Sequence, residues 1–504
     1  MNHRKILAAF LFHSLILLFA VHSARLFGQD APPVLFERAQ EAMREGRYSE
    51  ASDLYRQLIV EFPEVTGLRL NLGISLFLQD RLGEAVPHLQ AVVDSGEELM
   101  PAWFFLGSAY LGLERFEESV SSLSRYVDAE PSDPQGRHML ANAYLAMDQP
   151  EKAKPQLQKL TELEPKSPTA WFQLGRVYGL LAESTFERLE QRAPDSAYWL
   201  ALIGDSQLSR GEFRSAFFFY RKALEKHPKM RGIHVALSRI YRETGNEEWA
   251  RQAEEKESSL GLPDCEKEAV VCAFLQGDFL RTLELAGKID GPEGDYWSVQ
   301  AYNQLASEAF AQLGGLPSSF ELHSIAAEIH QNQGRFLEAA RDWRQALERR
   351  PEDRSAKTGL AFALFFSRNY DEAEPLVDEL LADSPDDPQL NYLAGAMRLN
   401  REEPEASLEY LNKAVRLDPE DLSARSSLGR ALLALGRQEE AVPHLEKALS
   451  TDQDGSLHYQ LAQAHRAVGN QEKARETLQK YQELQSRTAA ERDELEEEFD
   501  LTPP

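Results

Sequence analysis

Apolar residues recur along this chain at spacings of three, four and seven, the pattern of one face of a helix. In "AWFFLGSAYLGLERF", Ala102 to Phe116, the stripe is made by Trp103, Leu106, Gly107 and Tyr110. A step of 34 residues from Trp103, Gly107, Tyr110 and Pro131 lands on Arg137, Ala141, Tyr144 and Pro165, and the next step reaches Trp171, Gly175 and Tyr178. Each unit carries a second stripe, with a small residue, a larger one four later and another three beyond it: Ala153, Leu157 and Leu160, or Ala216, Tyr220 and Ala223. The pattern predicts two helices per unit, with Gly, Asp or Asn near a short turn and Pro closing the second helix.

This period resembles the tetratricopeptide repeat family from about Pro32 to Leu484. Units begin near Pro32, Thr66, Met100, Pro134, Ala197, Phe320, Arg354, Pro388, Leu422 and Gly455. Gly395, Ser407, Leu411, Ala414 and Pro419 fill the diagnostic slots of one unit, and Gly429, Gly436, Ala441, Leu445 and Ala448 those of the next. The resemblance implies an all-α fold, an α-solenoid of tandem helix-turn-helix repeats wound as a right-handed superhelix. Gly or Ala on the first helix lets the second approach closely, so Trp103 and Tyr110 read as packing residues rather than as a cofactor lining.

Departures from the repeat are informative. "LLAESTFERL", Leu180 to Leu189, lacks the turn glycine due there, and "QLASEAFAQL", Gln304 to Leu313, repeats the feature 124 residues later, which predicts one long or reshaped helix in each place. Glu254 to Asp295 is degenerate and reads as a hinge. The expected organisation is therefore an array over 32–253, a hinge over 254–295, a second array over 296–485, and an acidic capping helix and tail over 486–504.

Asp and Glu number 82 against 55 Lys and Arg, a formal charge of −27 that repels phosphate backbones and anionic lipid, so no nucleic-acid partner is expected. The 27% charged content argues against an integral membrane protein. At the N-terminus, "MNHRK", the apolar run Ile6 to Val21 and the small residues Ser23, Ala24 and Gly28 have the layout of a secretory signal, residues 1–28, and predict a periplasmic or secreted protein with no membrane insertion after cleavage. The alternative is an uncleaved inner-membrane anchor facing the periplasm.

Cys265 and Cys272 are the only cysteines. An exported chain favours a disulfide. On one continuous helix their Cα atoms would stand ~10 Å apart, beyond bridging reach, so the bond requires Cys265 to precede the helix; two free thiols are the other reading. His323 and His330, and His458 and His465, are each seven apart and occupy packing slots of the repeat rather than the four-residue spacing of metal pairs. His88 and His444 recur in matching "EAVPHL" strings. No nucleophile elbow, phosphate loop or paired catalytic constellation occurs, and the expectation is a non-enzymatic protein without metal or cofactor.

In the tetratricopeptide family the first helices line a concave face, and the resemblance carries that role onto Leu70, Phe77, Phe104, Asn142, Phe172, Arg176, Arg239, Phe365, Tyr392 and Arg430. Such a surface suits an extended peptide or a partner helix. The expected function is a protein-interaction scaffold of the cell envelope or secreted space. The alternatives are a membrane-anchored assembly factor and the recognition subunit of a transferase whose catalytic part lies on another chain.

Overall fold

The two stripes of each unit become a helical hairpin. A computed structural model of the chain describes residues 33–452, 455–498 and 501–504, so the segment read as a secretory signal lies outside the described residues. Among these residues the regular elements are helices, with no strand. In chain order they are α1 (Pro33–Arg44), α2 (Tyr48–Glu61), α3 (Thr66–Leu78), α4 (Leu82–Asp94), α5 (Met100–Gly112), α6 (Phe116–Ala129), α7 (Pro134–Ala146) and α8 (Pro150–Leu163). The long α9 (Pro168–Arg192) is followed by α10 (Ala197–Ser209), α11 (Phe213–Lys226), α12 (Ile233–Glu243), α13 (Glu247–Ser259), α14 (Ala269–Leu275) and α15 (Phe279–Ala286). A second long helix, α16 (Pro292–Gly314), leads to α17 (Phe320–Asn332), α18 (Phe336–Arg349), α19 (Arg354–Phe366), α20 (Tyr370–Asp383), α21 (Pro388–Asn400), α22 (Pro404–Leu417), α23 (Leu422–Ala434), α24 (Gln438–Ala448), α25 (Ser456–Ala467) and α26 (Gln471–Glu498). First helices thus start within a residue of the unit starts read from the sequence.

Three local devices set the hairpins. Asp353, Asp387 and Asp421, spaced by 34, cap α19, α21 and α23 by accepting from the backbone N–H groups of Ala356, Leu390 and Ala424, which supplies orphan donors with an acceptor. Between helices the chain turns through a left-handed residue at the same 34-residue step. Gly46, Asp80, Glu114 and Asp148, and later Gly334, Arg368, Glu402 and Gly436, all hold φ between 54° and 74°. The next position due in the first series is Ala182, which is instead helical and 5% exposed. An apolar, buried residue cannot leave the core to make a turn, so α9 runs on for 25 residues.

The third device ties one unit to the next. Side-chain N–H groups of Arg137 and Trp171 donate to the carbonyls of Pro131 and Pro165, six residues earlier, at 2.9 Å, and Asn391 and Arg425 do the same to Pro385 and Pro419 at 2.9 and 2.6 Å. The slot first read as packing glue therefore also works as a hydrogen-bond staple, which explains why Arg, Trp and Asn interchange there: each presents an N–H at the end of a flat group.

Packing follows the small-residue rule. A Cβ built on Gly73, Gly107, Gly395 or Gly429 would lie 2.6 to 2.7 Å from the side chain of the leucine sixteen residues later, Leu89, Leu123, Leu411 or Leu445. Gly175 departs from this. It has no second helix of its own, and the space beside it is taken by Phe310 of α16, whose ring would stand 2.7 Å from an added Cβ.

The described chain forms two compact units. The first comprises residues up to Glu187 with Gln276–Glu284 and Trp297–Pro317; the second comprises Arg188–Leu275, Leu285–Tyr296 and Ser318–Pro504. The degenerate segment 254–295 is thus shared between them, its part 276–284 in the first. In the first unit Phe279 and Leu283 of α15 and Tyr302 of α16 pack on the core of Leu157, Leu174 and Tyr178. In the second, Arg188 of α9 holds Asp295 through its Nε and Nη2 at 2.9 and 2.7 Å. The same unit contains a bond between Cys265 and Cys272, whose Cα atoms are 5.6 Å apart. Cys265 lies in a turn ahead of α14 and Cys272 within that helix, the arrangement the bond requires, since seven residues along one continuous helix would hold the two too far apart.

Candidate functional site

Of the ten surface residues expected from the repeat register, Leu70, Phe104 and Phe365 are corrected by the structure. They are 0, 2 and 7% exposed and belong to the core. Phe104 packs on Phe105 and on Tyr126 of α6, with ring centroids 5.2 Å apart in each pair. The cause is visible in α5, where Phe104 to Tyr110 are buried without interruption. A repeat helix with neighbours on several sides keeps no free face there. Phe77, half-buried, is edge-on to Phe105 at 5.3 Å. Tyr392 is half-buried against Phe365 at 5.9 Å, while Arg239 and Arg430 are exposed.

Three of the ten come together in the first unit. Asn142 of α7 and Arg176 of α9 line one pocket of about 350 Å³ with Leu145, Ala146, Gln173, Val177 and Leu180. The pocket lies where adjacent first helices run side by side, and its floor is apolar because Val177 closes it at 0% exposure. Gln173, which the register did not single out, donates its amide to Asn142 Oδ1 at 2.9 Å. That bond fixes the Gln173 amide and leaves its Oε1 buried with no hydrogen-bond partner. Phe172 carries the Arg176 guanidinium over its ring at 5.7 Å, and Arg176 makes no ion pair among the described residues. The site thus offers an unpaired acceptor, an available five-donor guanidinium and an apolar floor, the set that matches a peptide backbone with an acidic or carbonyl-bearing neighbour.

The histidines are placed as structural groups. Asp342 of α18 faces both His330 Nδ1, at 2.9 Å, and His323 Nδ1, at 3.5 Å. His458 Nδ1 lies 2.6 Å from Asp452, and His465 is 2% exposed. Among the described residues no group of three or more His, Cys, Asp or Glu side chains is placed to hold a metal ion. No helix among them is long and apolar enough to cross a membrane.

These hairpins, stapled and interlocked at a 34-residue step, define a tandem helical-repeat protein. Tetratricopeptide repeat profiles match residues 36–99, 84–134 and 134–177, and support that family for this chain. Residues 347–501 match the profile of the N-terminal domain of the T7SS, ESX-1 secretion system protein EccA1. DnaJ homolog subfamily C member 3 of Gallus gallus is 26% identical over 159 residues, 28% of this chain and 32% of that protein. Human IFIT1 homolog B is 30% identical over 129 residues, 24% and 27% of the two chains. The chain therefore spans under a third of the length of these curated relatives. Among solved structures, YrrB, described as a TPR protein with an unusual peptide-binding site, is 24% identical with a TM-score of 0.28, covering 33% of this chain and 86% of its own. MamA from Desulfovibrio magneticus is 22% identical with a TM-score of 0.30, covering 34% and 97%.

Proposed function

We propose that the chain is a non-enzymatic interaction scaffold that holds an extended segment of a partner protein across its first helices, with the pocket of Asn142, Gln173 and Arg176 as the principal contact. The observation that carries this reading is the unpaired, buried Oε1 of Gln173 beside the free guanidinium of Arg176. A backbone N–H of a bound strand satisfies the former and a carbonyl or carboxylate the latter, so binding removes an unmet acceptor at the same time as it adds a charge-assisted bond. Within the second unit, Tyr392 with Arg430, and the exposed Arg239, offer contacts of the same kind. The address proposed with it is the periplasm or secreted space, on the layout of residues 1–28. A secretion-assembly role is a second reading, favoured by the match over 347–501.

The test is capture from envelope extract by the mature protein, compared with the variant Asn142→Ala plus Arg176→Ala. A partner that is retained by the former and lost by the latter, with circular dichroism unchanged, supports the pocket. Equal capture by both removes it.

A further inference from the structure

The second unit holds a segment of its own chain. Tyr241 of α12, 0% exposed, donates its hydroxyl to the carbonyl of Thr502 at 2.7 Å, and Arg221 Nη1 of α11 reaches the carbonyl of Pro503 at 3.4 Å. The surface beneath is aromatic: Phe217 and Trp249 stand edge-on to Tyr241 at 5.9 and 5.7 Å, and the Arg221 guanidinium lies over Phe217 at 5.9 Å.

The repeat explains why this place needs a ligand. At two other tyrosines a glutamine twenty residues earlier satisfies the hydroxyl: Tyr110 donates to Gln90 Oε1, and Gln158 donates to Tyr178, both at 3.0 Å. Twenty residues before Tyr241 stands Arg221. A guanidinium has donors and no acceptor. The exchange converts a self-satisfied pair into two neighbouring donors that both require acceptors, over an aromatic floor. Two successive backbone carbonyls supply them, and a pair of prolines suits the place because Pro503 and Pro504 have no N–H to satisfy and hold the chain extended before it binds.

We infer that α11 and α12 form a peptide site for an extended proline-containing segment, and that Leu501–Pro504 of the same chain occupies it. The inference rests on the reading of the chain as a peptide binder, but on different residues from the pocket at Asn142. An external segment of the same chemistry gains the site only by displacing residues 501–504, so occupancy in cis sets the threshold for binding in trans.

The test uses the full chain with Leu501→Gly, Thr502→Ser, Pro503→Gly and Pro504→Ser, and a fluorescent, amidated peptide of residues 496–504 read by anisotropy. The peptide is expected to bind this variant at least about 10-fold more tightly than the native chain, because tethering holds the native tail at millimolar effective concentration. In the tail-replaced chain, Arg221→Gln, which installs the glutamine that stands twenty residues before Tyr110 and Tyr178, is expected to weaken binding by roughly 2- to 10-fold, and Tyr241→Phe likewise. Circular dichroism on Arg221→Gln, a change at a half-buried position, controls for folding. Equal binding to native and tail-replaced chains, or binding indifferent to Arg221→Gln, overturns the inference. Loss of binding only on Asn142→Ala plus Arg176→Ala overturns it too while leaving the pocket reading intact. A native dimer that becomes a monomer on tail replacement overturns occupancy in cis, and places the segment of one copy on another.

Discussion

Gly107 and Leu123 interlock: a Cβ on Gly107 would stand 2.6 Å from Leu123 Cγ, and Ser119 Oγ donates to the Gly107 carbonyl at 2.8 Å. Side chains of α6 therefore rest directly on the backbone of α5. Gly107→Leu is expected to destabilise the chain by about 1 to 3 kcal/mol through overpacking. Urea unfolding measures the loss. Hydrogen exchange should locate it in α5, α6 and their neighbours, since repeat stability is nearly a sum of local terms; uniform loss of protection across the first unit would contradict the tandem architecture.

Glu114 carries φ of 59° where Gly46 serves the same turn in another unit. A side chain there is held against the left-handed penalty of roughly 1 to 2 kcal/mol. Glu114→Gly is expected to raise stability by a few tenths to about 1 kcal/mol, part of the relief being offset by the greater freedom of glycine in the unfolded chain. A lowered melting temperature would show that Glu114 makes compensating contacts.

Asp295, 6% exposed, depends on Arg188, with Arg192 Nη1 more loosely placed 3.8 Å from its Oδ2. Arg188→Ala leaves a buried carboxylate with its weaker partner and should cost about 1 to 3 kcal/mol. Arg192→Ala should cost less, by thermal denaturation at neutral pH. Equal effects would mean that water, rather than Arg188, solvates the carboxylate.

His88 and His444 both sit below the usual imidazole value of 6.5, first because partial burial desolvates them, then because Arg69 and Arg56 face His88 and Arg425 and Lys447 face His444; Glu84 and Glu440 act in the opposite sense. Below pH 6.5 the unfolded chain takes up protons that the folded one refuses, so their contribution is intact above that value and is lost as pH falls toward the lowered ones. His88→Gln plus His444→Gln should flatten the fall in melting temperature between about pH 6.5 and pH 5. An unchanged slope would assign the acid sensitivity to carboxylates.

Phe104→Ala should cost about 3 to 5 kcal/mol, as expected of a buried aromatic, whereas Phe172→Ala, at a half-buried site beside the pocket, should cost less and act on binding. Chemical denaturation of the two single variants separates them.

The sequence made the helix starts legible because caps, prolines and the 34-residue step are local signals. The two long helices were legible for the same reason: a turn residue is missing where one is due. Surface assignment was less so. Register alone places Phe104 one residue from the Trp103 packing slot, but α5 is enclosed on enough sides that Phe104 is buried while Trp103 is only half-buried. Arg176 and Asn142 were visible in the register; Gln173 was not, because its importance lies in an amide orientation fixed by Asn142, 31 residues away. The site at Tyr241 had a sequence signal in hindsight, the arginine standing where Gln90 and Gln158 occur, but the segment that answers it lies 261 residues along the chain.

The left-handed turns at Arg368, Glu402 and Gly436 have a genetic corollary. Because each closes a hairpin with the same backbone torsion, excision of residues 369–402 joins Arg368 to Glu403 and recreates the junction found at Glu402. Unequal recombination within this stretch therefore deletes or adds a whole cassette without breaking reading of the fold, and orthologous genes should differ in length here by multiples of 34 codons. Around α9 and α16, where the periodic turn is missing, the same exchange has no matching junction, and length there should be fixed.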